Sequence, residues 1–146
     1  MYDLPYSKPF MAEEDGTNSP LEHQRVISKL TVGLGILFYR EKTIALEPLP
    51  ETPLAEGPGH SVPDVSLLDP ETEETRIIIE VSRGRGEKND LWKIVQLIDH
   101  NQYGILEGFV YNYRTGDWLR YRKGEGGAAT ETSFSDVLEL DLGQFL

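Results

Sequence analysis

Apolar residues recur at two periods along this 146-residue chain, and the alternation between those periods outlines its elements. Val26, Ile27, Leu30 and Leu34 fall at helical spacing. Ahead of them, Ser19-Pro20-Leu21-Glu22 combines an N-cap serine, a proline at the first helical position and a glutamate at the third, which is a capping box. Gly33 and Gly35 mark the expected helix exit. Lys42 to Leu49 alternates as a strand does, with Ile44 and Leu46 on one face. A Pro- and Gly-rich stretch from Pro48 to Pro63 reads as a loop. Two β-rich runs follow, Val65 to Leu68 and Thr75 to Ser82, separated by a polar stretch that opens with Asp69-Pro70, a hairpin signal. Leu91, Ile94, Val95 and Ile98 form the stripe of a second helix over about Asn89 to Gln102. Glu107 to Arg114 and Trp118 to Arg122 make a second hairpin around Thr115-Gly116-Asp117, and a strand-like tail lies near Val137 to Leu142.

The order is α-β-β-β-α-β-β. The passage from the Thr75–Ser82 run through a helix to the Gly108 run is a βαβ crossover, which requires a parallel pair; the other pairs read as antiparallel. The expected fold is therefore a mixed α+β or α/β sheet with helices packed on it. It occupies one domain over residues 19–146, behind a loose arm at residues 1–18.

Within the first hairpin, a turn centred on Thr72 pairs residues 69 with 75, 67 with 77 and 64 with 80. Val65, Leu67, Ile77, Ile79 and Val81 then share one wholly apolar face. Asp64 and Glu80 come directly opposite each other on the other face, with Cα atoms roughly 4.5–5.5 Å apart. Like charges so placed repel unless a cation lies between them, and a divalent metal is the usual one. On the same pattern, Asp64 can serve as a turn residue and Glu80 as a strand-end charge.

Composition narrows the chemistry. The absence of cysteine excludes disulfide scaffolds and zinc–thiolate sites. No apolar run is long enough for a membrane span and no secretory leader is visible, so a cytoplasmic location without membrane association is expected. The net charge of −11 opposes long-range attraction to nucleic acid, so any such function needs a local basic patch, metal ions or a partner. Arg83-Gly84-Arg85-Gly86-Glu87-Lys88 supplies a locally basic loop. Glu22 reads either as a helix cap or as a further acid approaching the pair, and His23 either as a ligand or as a packed helix residue. The sequence leaves monomer and homodimer open.

The Pro63-Asp64 step, the Ile77-Ile78-Ile79-Glu80-Val81-Ser82 strand, the Asp90/Lys93 pair and the Gly104 to Tyr111 strand entry occur in an order that resembles the PD-(D/E)xK nuclease superfamily. Within it, the chain is similar to the small putative restriction endonuclease family, over roughly Leu21 to Tyr121. The resemblance implies a nuclease-like domain that hydrolyses DNA phosphodiester bonds with Mg²⁺ or Mn²⁺ held by Asp64, Glu80 and the carbonyl of Val81. In that family a lysine normally stands two residues after the strand glutamate, where it orients water and offsets transition-state charge. Ser82 occupies that position here. Lys93 on the next helix is then the nearest catalytic candidate, with Lys88 and Arg85 as rivals; otherwise Lys93 simply pairs with Asp90 at (i, i+3). Without a lysine, the alternative is a catalytically degenerate interaction module that keeps the fold.

Overall fold

The computed structural model describes residues 20–146. The arm at residues 1–18 and the Ser19 cap lie outside the described residues. Helix α1 spans Pro20–Gly35 and buries His23, Val26, Ile27, Leu30 and Leu34. The helix does not stop at its glycines: a π-helical turn, Ile36–Arg40, continues it, closed by the Glu41 and Thr43 amides donating to the Ile36 and Leu37 carbonyls. Beyond that turn the chain is irregular from Glu41 to Leu46, with Lys42 in the left-handed region at φ 56°, so the first part of the expected strand does not form. Strand β1 is therefore only Glu47–Pro50, although Ile44 and Leu46 still pack into the core.

Strands β2 (Val65–Asp69) and β3 (Glu74–Ser82) form the predicted hairpin. Val65 pairs with Ile79 and Leu67 with Ile77, as the sequence predicts. Beyond Leu67 the register slips, so Leu68 faces Thr75 and Asp69 faces Glu74, not Thr75. Arg76 is the extra residue of this bulge. The slip follows from the turn, where the Asp69 side chain and carbonyl accept from the Glu71 and Glu73 amides and Glu73 adopts φ 60°.

Helix α2 (Glu87–Asp99) starts two residues before and ends three residues before the expected bounds. Its end is fixed where the His100 amide and the Asn101 side chain both donate to the Gln96 carbonyl. Strands β4 (Glu107–Asn112) and β5 (Asp117–Arg122) complete a sheet of order β1-β2-β3-β4-β5, in which β3 and β4 are parallel and the other pairs antiparallel. The expected tail strand resolves into two short strands, β6 (Phe134–Ser135) and β7 (Leu140–Asp141), followed by a 3₁₀ turn at Leu142–Phe145.

Each face of the sheet has its own core. The α1 stripe packs on Val65, Leu67, Ile77, Ile79, Val81 and Phe109. Ile94 and Ile98 of α2 pack on Ile78, Val110 and Tyr121 across the opposite face. Burying each such aliphatic side chain contributes about 1.5–3 kcal/mol. Gly108 sets the height of α2 above the sheet, because a Cβ there would stand 2.3 Å from Ile94 Cγ2. The N-terminal turns of α1 and α2 both reach the end of the sheet where Asp64 precedes β2 and β3 carries Glu80.

Candidate active site

At that end of the sheet a cleft of about 400 Å³ is lined by His23, Glu51, Asp64, Glu80, Val81, Arg83, Gly86 and Asp90. Asp64 arrives just before β2, and its Oδ2 accepts the Val81 amide at 2.7 Å. His23 Nε2, on the first turn of α1, lies 3.4 Å from the same oxygen. Glu80 is buried within β3 and shares a side-chain hydrogen bond with Asp64. The two acids expected to oppose each other thus meet in the cleft, each one residue beyond the Val65–Ile79 pair.

The two carboxyls differ electrostatically. Burial pushes Asp64 up, but the His23 imidazole, the Val81 amide and Glu80 together overcome it and hold the group below its ordinary value. Glu80 is pushed up to about 8, first by burial and then by the negative charge of Asp64, with Asp90 adding to the rise and Lys93 opposing it. Asp90 is itself raised by burial, against the pull of Lys93. Glu80 is therefore destabilised as an anion chiefly by its burial, with Asp64 and, less strongly, Asp90 adding negative charge.

Lys93 Nζ lies 3.8 Å from Asp90 Oδ1, so the (i, i+3) pair is present, and the lysine side chain stays 55 % exposed. It acts on Glu80 at a distance and is not among the residues lining the cleft. Ser82 is fully buried, and its Oγ has no hydrogen-bond partner among the described residues. Lys88 is exposed on the first turn of α2 and does not line the cleft. Glu22 also stands outside it, accepting from Arg25 at 3.4 Å.

Two contributors, Glu51 and Asn112, escape the sequence pattern, and a third, His23, is left open by it between ligand and packed residue. His23 is the polar member of the buried α1 stripe at 23, 26, 27, 30 and 34, and a histidine ending an otherwise apolar stripe is the signal that marks it. Glu51 stands at φ 45° beside the cleft, its amide donating to the Asp64 carbonyl at 3.0 Å, and nothing in its neighbours announces this. Asn112 ties the β3–α2 loop to the β4–β5 turn. Its Nδ2 donates to the Gly84 carbonyl and Glu87, while its Oδ1 accepts the Arg114 and Thr115 amides.

Among the described residues, no three His, Cys, Asp or Glu side chains converge as a metal-ligating cluster. Two carboxylates remain, and a hard cation that keeps most of its waters needs no more than one or two. Val81 contributes its amide to Asp64, leaving its carbonyl as the donor to test. The two carboxylates suit such an ion in chemistry, since a dication would stabilise the anionic form of Glu80 against its burial and against the charge of Asp64.

No protein-family model and no curated protein matches the sequence. The fold is similar to a solved structure from Anabaena variabilis described as a "putative nuclease belonging to DUF820". The two share a TM-score of 0.64 and 13 % identity, over 85 % of this chain and 79 % of that one. At that identity the likeness establishes a shared architecture, the mixed five-stranded sheet with two helices. Among the described residues, no helix is long and apolar enough to cross a membrane.

Proposed function

We propose that the chain is a divalent-metal-dependent nuclease of the PD-(D/E)xK type, acting on DNA phosphodiester bonds. The observation that carries the reading is the buried Asp64–Glu80 pair at the cleft, with Glu80 pushed up to about 8 by burial and by its neighbour's charge. Carboxyls perturbed by burial and by a second acid within a cleft gather at functional sites. The resemblance in fold to a protein described as a nuclease supports the same reading.

Asp64 and Glu80, with the Val81 carbonyl, would hold Mg²⁺ or Mn²⁺, which supplies Lewis-acid polarisation of the phosphate and a bound water of lowered pKa. The residues of the chain do the rest. Asp64, anchored by the Val81 amide, keeps a fixed orientation. Arg83 lines the cleft, and the Arg114 side chain lies against Gly84 in the same loop. Together with the exposed Arg85 and Lys88 they form the local cationic margin that a chain of net charge −11 needs to accept a phosphate backbone. Lys93 offsets charge as the water oxygen bonds to phosphorus and the ester oxygen leaves with a proton.

The test is nicking of supercoiled plasmid in Mn²⁺ by wild type, Asp64→Ala and Glu80→Gln, with Mn²⁺ binding followed by calorimetry. Cleavage and binding that both depend on the two acids support the reading. Absence of carboxylate-dependent metal binding overturns it. A second reading, a catalytically degenerate module, is favoured by the buried Ser82 where a lysine is expected. Metal binding without cleavage would select it.

A further inference from the structure

We infer that His23 is a positioning residue that locks the Asp64 carboxylate in the orientation the site requires. The inference rests on the proposed metal-dependent reading. His23 is only 9 % exposed, at the N-terminal end of the stripe that fixes α1 on the sheet. Its Nε2 and the Val81 amide approach the same oxygen, Oδ2, from two different elements. A carboxylate only accepts, so the ring presents its proton at Nε2. The Val81 amide bonds this oxygen at 2.7 Å and the His23 ring nitrogen stands 3.4 Å from it, so both contacts restrict the carboxylate's rotation through one oxygen and leave the other outside them.

The neighbouring residue reinforces the grip. Gln24 Nε2 donates to Glu51 at 3.3 Å, and the Glu51 amide in turn holds the Asp64 carbonyl. Consecutive residues of α1 thus approach Asp64 by two routes, His23 directly at its side chain and Gln24 through Glu51, whose amide holds its backbone. Glu51 keeps a left-handed backbone at φ 45°, a conformation that costs a non-glycine residue and persists where the surroundings over-determine it. Groups that orient metal ligands from behind characteristically set affinity by 10–100-fold.

The experiment compares wild type, His23→Gln and His23→Leu in the full chain. Mn²⁺ affinity is measured by calorimetry, and the Val81 amide is followed by ¹⁵N NMR in metal-free protein. Gln can return a donor to the place of Nε2; Leu fills the space without one. The expected result is a loss of about 10–100-fold in Mn²⁺ affinity and a displaced Val81 amide in His23→Leu, with both largely restored in His23→Gln. Wild-type affinity and an unmoved Val81 amide in His23→Leu would overturn the inference. If His23→Leu fails to fold, His23→Asn replaces it, because its shorter side chain withdraws the donor. Equal behaviour of the Asn and Gln variants then overturns the inference, and a defect confined to Asn supports it. If wild type binds no Mn²⁺, the metal reading fails, and the Val81 amide still decides whether His23 holds Asp64.

Discussion

Two glutamates are buried on neighbouring strands of the same sheet, Glu80 on β3 and Glu107 on β4, and the surroundings treat them in opposite ways. Glu107 accepts from Ser135 Oγ at 2.6 Å and from the Asp136 amide at 2.7 Å, so its carboxylate anchors the C-terminal segment to the sheet. Glu80 meets acids instead, with Asp64 bonded to it and Asp90 adding like charge. Both residues are glutamates and both are buried. What separates a structural carboxylate from a candidate reactive one is whether donors or further acids complete its surroundings.

The comparison is broken most directly by removing Glu107. Glu107→Ala strands the Ser135 hydroxyl and the Asp136 amide and should cost about 2–5 kcal/mol in urea denaturation. A loss below about 1 kcal/mol would mean that Glu107 is not an anchor.

Glu80→Gln should have the opposite sign. In metal-free buffer at pH 8 it should raise stability by about 1–3 kcal/mol, because it removes a charge that the fold disfavours. A loss of stability there would end the contrast between the two glutamates. The sign also fixes the pH dependence. Folding raises the Glu80 pKa from 4.5 to about 8, so between those values the native state keeps a proton that the unfolded chain releases. Stability from this group is complete below about pH 4.5 and declines as pH rises to 8. The gain from Glu80→Gln should therefore shrink towards zero as a thermal-melt series descends from pH 8 to pH 5. Mn²⁺ should raise the wild-type melting temperature at pH 8 far more than that of the variant.

Asp64→Asn sharpens the contrast further. From sequence, Asp64→Asn relieves the repulsion between opposed acids and stabilises the metal-free protein. In the structure Asp64 is compensated by His23 and Val81, so its substitution should change stability by less than about 1 kcal/mol. A gain as large as that from Glu80→Gln would show the load to be shared. The smallest stability effect belongs to Lys93→Ala, within about 0.5 kcal/mol for an exposed ion pair. Its plasmid-nicking rate should nevertheless collapse with Mn²⁺ binding intact; unaltered nicking removes Lys93 from the mechanism.

The fold was legible wherever local periodicity and tertiary demand agree. The all-apolar face of the hairpin, the α2 stripe and the parallel β3–β4 pair all follow from spacing alone. Lys42 to Leu46 failed as strand because Lys42 is left-handed and the Thr43 amide is tied back to the Leu37 carbonyl of the π-helical turn, although the segment carries a strand pattern. The approach of Asp64 to Glu80 was legible because hairpin arithmetic is local. His23 was visible but ambiguous: its place against Asp64 depends on how α1 crosses the sheet, which no window of sequence encodes. Glu51 acts through its backbone amide, and the Asn112 side chain joins a loop 28 residues away, so neither leaves a signal in the local side-chain pattern.

The bulge at Arg76 separates two jobs that a tighter hairpin would have fused. Register between Val65–Leu67 and Ile77–Ile79 is set by the buried faces, while the slip beyond Leu67 absorbs the irregular turn at the far end. The bulge works as an expansion joint: changes of length at the exposed Glu71–Glu73 tip are taken up before they reach the acids. That tip is accordingly the place to open the hairpin, for a permuted terminus or a grafted loop, while Asp64 and Glu80 stay face to face.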